Sequence, residues 1–358
     1  MNNTNLDLNN REWGEFIFEE IFNINSSQSS IDRNKLNEKK GATPYITRSN
    51  TVNGYDSFIG KQDDKYSLDE GNVITVGLDT QTVFYQPEPF YTGQNIQVLR
   101  NNNLTANIAK FLVPLIELQM KKFSWGSNGA TLKRLKRQKL ILPINTVGEL
   151  DYRFMEEYVK HKEKERLDKY IEYLKGRVKQ LEDYEEVEAL DEKKWGEFKM
   201  SSIFHIESGV RLTKSDMNKG KRPFIGATDS NNGITGYVSN ENKSLDSNVL
   251  GVNYNGSVVE SFYHPYNAIF SDDVKRLSFK GLKGNKHLYL FVKTEILKQK
   301  EKYQYGYKFN AMRMRKQTII LPINKVGQPD FEYMKSYMEQ LELKKIKDYL
   351  RYKNIDLS

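Results

Sequence analysis

The residues best placed to do chemistry are Lys and Arg set among aromatics and glycine. Lys121-Lys122-Phe123-Ser124-Trp125-Gly126 is followed by Lys133, Arg134, Lys136, Arg137 and Lys139. A second stretch, Tyr303-Gln304-Tyr305-Gly306-Tyr307-Lys308, is followed by Arg313, Arg315 and Lys316. Cations of this kind neutralise phosphates and release counterions, which gives sequence-independent affinity for a duplex. Arg and Lys also pair with guanine edges, and Asn or Gln with adenine. The rest of the inventory points away from catalysis. There is no Gly-x-Gly-x-x-Gly and no Gly-x-x-x-x-Gly-Lys-Ser/Thr to hold a nucleotide. There is no Pro-Pro pair, hence no Asn-Pro-Pro-Tyr loop of an amino-methyltransferase. His161, His205, His264 and His287 are far apart and lack metal-ligand spacing. With no cysteine, there is no disulfide framework, thiol nucleophile or Cys-based metal site. Pro329-Asp330 with Glu332 and Lys335 has the wrong spacing for a nuclease metal motif. Asp79, Asp272 and Asp273 read as turn residues.

Charge is concentrated where these stretches lie. The 358 residues carry a formal charge of +8. Thr105 to Asn145 holds eight basic residues and one acidic, and Asn285 to Asn324 holds nine basic and two acidic. Each window is therefore +7, and the remainder of the chain is net acidic. A modest overall excess permits an acidic partner without proving one; a matched excess at two places is harder to explain as a bare solvated face. No run of 18 apolar residues offers a membrane span. Met1 to Asn10 is polar and lacks the basic start and apolar core of a signal peptide. A cytoplasmic protein is the expectation.

The two windows match because the chain repeats itself. Trp13-Gly14-Glu15-Phe16 returns as Trp195-Gly196-Glu197-Phe198, and Ile21-Phe22-Asn23-Ile24 as Ile203-Phe204-His205-Ile206. Pro44-Tyr45-Ile46 matches Pro223-Phe224-Ile225, and Leu142-Pro143-Ile144-Asn145 matches Leu321-Pro322-Ile323-Asn324. The order is kept throughout. A period near 180 residues is too long for a solenoid unit, so a whole domain and its trailing segment are duplicated.

Each repeat has two parts. The first is rich in Gly, Asn, Tyr, Val and Thr, with short apolar runs such as Val73-Ile74-Thr75-Val76 and Val249-Leu250-Gly251-Val252. Asn53-Gly54, Asn232-Gly233 and Asn255-Gly256 punctuate them as turns. That pattern predicts a mixed α+β domain. An amphipathic segment over Ile108 to Met120 should be helical but interrupted at Pro114. Its counterpart is Leu288 to Leu297. The second part is a long helix with one apolar stripe: Phe154, Met155, Tyr158, Leu167, Tyr170, Ile171, Leu174, Val178 and Leu181, then Phe331, Met334, Tyr337, Met338, Leu341, Ile346, Tyr349 and Leu350. Asp151 and Asp330 suit N-caps. A lone helix with one seam is not stable in water, so the two seams should face each other as an antiparallel pair; packing of each helix back on its own domain is the alternative. Gly176 is either a tolerated defect or a close-packing point. The domain boundaries are 1–148 and 191–327, with helical segments at 149–190 and 328–358.

This organisation resembles the DNA-specificity (S) subunits of restriction–modification systems, in which two target recognition domains are each followed by a long helix. Gly220-Lys221-Arg222-Pro223-Phe224-Ile225-Gly226-Ala227-Thr228-Asp229-Ser230-Asn231-Asn232-Gly233-Ile234-Thr235-Gly236-Tyr237-Val238 looks like the opening loop of such a domain. The Leu-Pro-Ile-Asn-x-Val-Gly junctions at 142–148 and 321–327 look most like the compact S subunits of the BcgI-like type IIB group. The first repeat departs from the loop pattern, with Gly41-Ala42-Thr43-Pro44-Tyr45-Ile46-Thr47-Arg48-Ser49-Asn50.

The resemblance implies a non-catalytic chain that reads double-stranded DNA, each domain taking one half of a bipartite, asymmetric site. The antiparallel helices would be a coiled-coil spacer between domains related by a pseudo-two-fold. Thirty residues at 1.5 Å span about 45 Å, or roughly 13 base pairs. Partners would be methyltransferase or fused nuclease–methyltransferase subunits, with S-adenosylmethionine and Mg2+ bound there and no cofactor in this chain. Base readout is assigned to Arg48, Asn50, Asn53, Trp125, Asn128, Lys133 and Arg134 in the first repeat. In the second it is assigned to Asp229, Asn231, Asn232, Tyr305, Lys308 and Arg313. Phosphate contacts fall to Lys136, Arg137, Lys139, Arg315 and Lys316. A protein–protein adaptor, its basic faces meeting acidic chains, is the competing reading.

Overall fold

The computed structural model describes residues 6–37, 39–123, 129–182, 187–304 and 306–355. They form two compact units that divide between Tyr170 and Ile171. Each unit is built from the same parts in the same order.

In the first unit Trp13–Ile17 pairs antiparallel with Lys139–Pro143, Trp13 opposite Pro143 and Ile17 opposite Lys139. This ribbon clasps the two ends of the domain. Between them a four-stranded antiparallel sheet runs in the order Asn23–Ser26, Ile96–Arg100, Val73–Gly77, Val83–Gln86. A second sheet places Thr43–Ile46 between Tyr55–Ile59, antiparallel, and Tyr91–Thr92, parallel. Val73-Ile74-Thr75-Val76 is buried on both faces, which is why its sequence shows no alternation. The helix Ala106–Met120 lays Ile108, Leu112, Ile116 and Met120 into the core with Phe18, Leu99, Leu140 and Met155. It runs through Pro114 without a break, contrary to the interruption expected. Pro114 lies on the exposed face, where water can take the carbonyl it leaves unpaired. The cost of about 3 kcal/mol is outweighed by four buried side chains at about 1.5–3 kcal/mol each.

The second unit repeats this plan. Trp195–Lys199 pairs with Thr318–Pro322. The four-stranded order is Phe204–Ser208, Val274–Phe279, Val249–Asn253, Ser261–His264. Lys219–Ile225 lies between Ile234–Val238 and Ile269–Phe270. The helix Lys286–Leu297 stands where Ala106–Met120 stands in the first unit.

The long helices are Tyr152–Leu181 and Phe331–Tyr352. Asp151 accepts from the Phe154 amide at 2.9 Å and Asp330 from the Tyr333 amide at 3.1 Å, so both cap. Their opening turns pack on their own domains. Met155 joins the first core and Met334 the second. Phe111 meets Tyr158 edge-on at 5.8 Å, and Phe291 meets Tyr337 at 6.1 Å. Further along, within the second unit, Leu174, Val178 and Leu181 form a cluster with Leu343, Ile346 and Leu350. Arg177 pairs with Glu342 at 3.1 Å above it. Each helix therefore divides its stripe, using the first turns for its own domain and later ones for helix-to-helix contact. Apart from the helix's own backbone, no atom of the described residues lies within 4 Å of a Cβ placed on Gly176. It is a tolerated defect, and the close-packing reading is excluded.

Candidate nucleic-acid interface

The loop after the third strand of each repeat, Thr43–Ile46 and Lys219–Ile225, is built in the same way. In the first repeat Thr47 donates its amide to the Gly54 carbonyl at 2.8 Å, and Gly54 donates to Thr51 at 3.0 Å. In the second, Gly226 donates to Gly233 at 2.9 Å and Gly233 to Ser230 at 2.9 Å. The Ser49 and Thr51 hydroxyls meet at 3.0 Å, as do those of Thr228 and Ser230. The tip is three successive left-handed residues: Val52 (φ 50), Asn53 (φ 56) and Gly54 (φ 77), matched by Asn231 (φ 51), Asn232 (φ 54) and Gly233 (φ 76). The departure of the first repeat from the loop pattern is thus one of residue type and leaves the backbone unchanged.

On this common scaffold the exposed residues differ. Arg48, Asn50 and Val52 stand where the second repeat has Ala227, Asp229 and Asn231. Arg48 forms an ion pair with Asp79, to which Asn95 donates at 3.3 Å. Asp79, taken as a turn residue, therefore also steers Arg48. Asn50, Asp229 and Asn231 are exposed. Asn53 and Asn232 sit differently. The Asn53 amide donates to the Tyr85 carbonyl at 3.0 Å and to Gln86 Oε1 at 3.3 Å. The Asn232 amide donates to the Tyr266 hydroxyl at 2.9 Å. Their side chains are engaged in holding the tip to the strand beneath.

The basic segments match as well. Leu132–Lys136 and Ala311–Lys316 are short helices. Arg134 donates to the Gly129 carbonyl at 3.1 Å, and Arg313 to the Lys308 carbonyl at 2.7 Å. The Arg313 guanidinium also lies 3.7 Å from the Tyr307 ring centre, and Tyr307 is parallel to Tyr303 at 5.7 Å. This column fixes the Arg313 head; cation–π contact of this kind contributes about 0.5–2 kcal/mol. Arg315 donates to the Ile206 carbonyl at 3.3 Å. Lys316 lines a cleft with Glu197, Lys302, Tyr303 and Tyr307. Lys133 and Arg137 are exposed. Lys136 lines a cleft with Glu19 and Glu20, and Lys139 lies on the ribbon, paired with Glu15 at 2.6 Å. Those two are shared with carboxylates, so their field on a phosphate is weaker than that of Arg137. Trp125, Asn128 and Tyr305 lie outside the described residues.

Lys300 pairs with Glu260, and Asp229 is near enough to help raise the Lys300 pKa after those stronger Glu260 contacts. Lys300 was not singled out in the sequence because it precedes the aromatic run by three residues. Val52, an apolar residue in a polar loop, is signalled in the sequence only by the match of Val-Asn-Gly to Asn-Asn-Gly. Among the described residues no group of three His, Asp or Glu is placed to hold a metal ion, and no helix is long and apolar enough to cross a membrane.

Known proteins share this plan. Residues 10–172 and 192–350 both match the type I restriction modification DNA specificity domain. The chain is 44% identical over 334 residues to the specificity subunit S.BcgI of a type II restriction enzyme from Heyndrickxia coagulans, covering 93% of this chain and 95% of that one. The S subunit of a type I restriction–modification system from M. genitalium has the same fold, with a TM-score of 0.51 at 16% identity over 97% of this chain and 93% of that one. Two matches that together span most of the sequence, in the two places where the structure repeats, make the chain a member of the restriction–modification DNA specificity family.

Proposed function

We infer that the chain is the sequence-reading subunit of a restriction–modification complex and contributes no catalysis of its own. Each domain reads one half of a bipartite site on double-stranded DNA. The observation that carries this reading is the pair of loops whose hydrogen bonds and tip φ angles agree and whose side chains do not. A shared scaffold gives the same docking geometry; unlike side chains give unlike half-sites. The matched basic segments supply the phosphate contacts that hold the register. The two long helices act as an antiparallel spacer that sets the distance between half-sites. Methyl transfer and cleavage, with S-adenosylmethionine and a divalent ion, belong to methyltransferase or fused nuclease–methyltransferase partners in the cytoplasm.

A salt titration tests this cheaply. Affinity of the purified chain for random duplexes should fall steeply between 50 and 200 mM salt, as expected for several phosphate contacts. Binding that ignores salt, or that prefers acidic polypeptides to DNA, would favour the adaptor reading instead.

A further inference from the structure

We propose that the tip residue of each loop, Val52 in the first repeat and Asn231 in the second, is a specificity-determining contact to a base. The inference rests on the DNA-reading function above and names the atoms that do the reading. Valine is a poor choice for its place. At φ 50 its branched Cβ crowds the following carbonyl. Asparagine tolerates this region, and the second repeat has asparagine there. Among the described residues no apolar cluster takes Val52 in. Val52 is 73% exposed, and it takes no part in the neighbouring cluster of Ile46, Val73, Phe90, Ile96 and Val98. The backbone at the tip is fixed from below through Asn53, whose carbonyl also accepts from Gln86 at 3.2 Å. A strained, exposed, apolar residue on a rigid support is best explained by a ligand outside the chain.

The chemistry of a duplex says which ligand. In the major groove the apolar feature is the thymine 5-methyl group, and adenine presents an acceptor and a donor side by side. Val52 can pack on the methyl and offers no hydrogen bond. Asn231 is exposed, and its amide can make the paired bonds to adenine. The same tip position therefore selects thymine in one half-site and adenine in the other, which contributes to the asymmetry of the target.

The test is selection of bound duplexes from a randomised library by the full-length chain and by Val52→Asn, Val52→Gly and Asn231→Val. The wild type should yield two unlike half-motifs. Val52→Asn should lose a thymine in one of them and leave the other intact. Asn231→Val should alter only the second. In the selected duplex, deoxyuridine in place of that thymine removes one methyl group. It should weaken wild-type binding about 4-fold, the worth of one buried methyl group, and leave Val52→Gly unaffected. Val52→Asn and Val52→Gly should also melt higher than wild type, because the strain is relieved; a valine kept for folding would melt lower on replacement. A wild-type motif that survives unchanged in Val52→Asn, or wild-type binding indifferent to deoxyuridine, overturns the tip assignment while DNA reading stands. A wild type that selects no motif overturns both.

Discussion

The two repeats keep one backbone and support it in different ways. In the first, Gln86 lies opposite Val73 and donates to the Thr75 hydroxyl at 3.1 Å and to the Asn53 carbonyl at 3.2 Å. Strand, neighbour and loop tip are tied by one uncharged amide. In the second, His264 takes that place opposite Val249, and Gly251 replaces the threonine. The ring needs the room: a Cβ on Gly251 would sit 2.9 Å from His264 Nε2. His264 Nδ1 is 3.3 Å from the Tyr266 hydroxyl, which in turn accepts from Asn232 at the tip. Its Nε2 is buried with no hydrogen-bond partner among the described residues, and burial pushes the ring down to about 4. The lesson is that the fold requires a bridge under the tip but does not require a particular chemistry. The second bridge has been made sensitive to a proton and the first has not.

The largest effect should come from erasing the difference at the surface. Replacing Arg48, Asn50 and Val52 with the alanine, aspartate and asparagine of the second repeat should abolish recognition of the first half-site. At about 1–3 kcal/mol per base contact, loss of even two contacts weakens the original target by 30-fold or more. Selection should return a target whose half-motifs are more alike. Unaltered preference would show that the loops are not the readers.

Acid should separate the repeats next. The folded pKa of His264 is lowered, so an unfolded chain takes up the proton first. Stability is full above about 6.5 and is lost as pH falls through about 4. The difference corresponds to about 3 kcal/mol at most, confined to the second domain. Urea denaturation followed across that range should show it, and His264→Gln should flatten the profile. Equal acid sensitivity of the two domains, with or without the histidine, would contradict the contrast.

The phosphate contacts should give smaller and non-discriminating effects. Arg137→Ala and Arg315→Ala should weaken all duplexes alike and each reduce the salt slope by about 0.9. Arg134→Ala and Arg313→Ala should instead alter discrimination, because each guanidinium is tied to a carbonyl five residues upstream and shapes the segment. A loss of sequence preference in the first pair would reverse these roles. Smallest of all, Gly176→Ala should add about 1 kcal/mol of stability, read as a rise in melting temperature, because no atom of the described residues beyond the helix's own backbone opposes the new methyl group.

Most of the architecture was legible in the residues. The duplication showed in collinear tetrapeptides, the central strand in Val73-Ile74-Thr75-Val76, and the helix starts in Asp151 and Asp330. The division of each helical stripe was not legible, because periodicity records that Met155 and Leu174 are buried and not against what. Pro114 predicts a break from residue type alone, because sequence does not show that its missing bond faces solvent. In the loops and basic segments, residue type shows which side chains carry polar or charged groups and not which of them the fold itself engages. Asn53 has the chemistry of a base reader, and its amide is used inside the fold. Val52 has no such chemistry; its alignment with Asn231 points to the position, and its backbone angle marks the residue. The sign of φ at a branched residue is set by the surrounding loop and leaves no trace in the residue itself.

The most direct test is a footprint of the full-length chain on a duplex selected from random sequence, at single-base resolution. Two protected patches of different sequence, separated by an unprotected gap that tolerates any bases, are the predicted outcome. One continuous patch, or two patches of the same sequence, would contradict two unlike readers on one common frame.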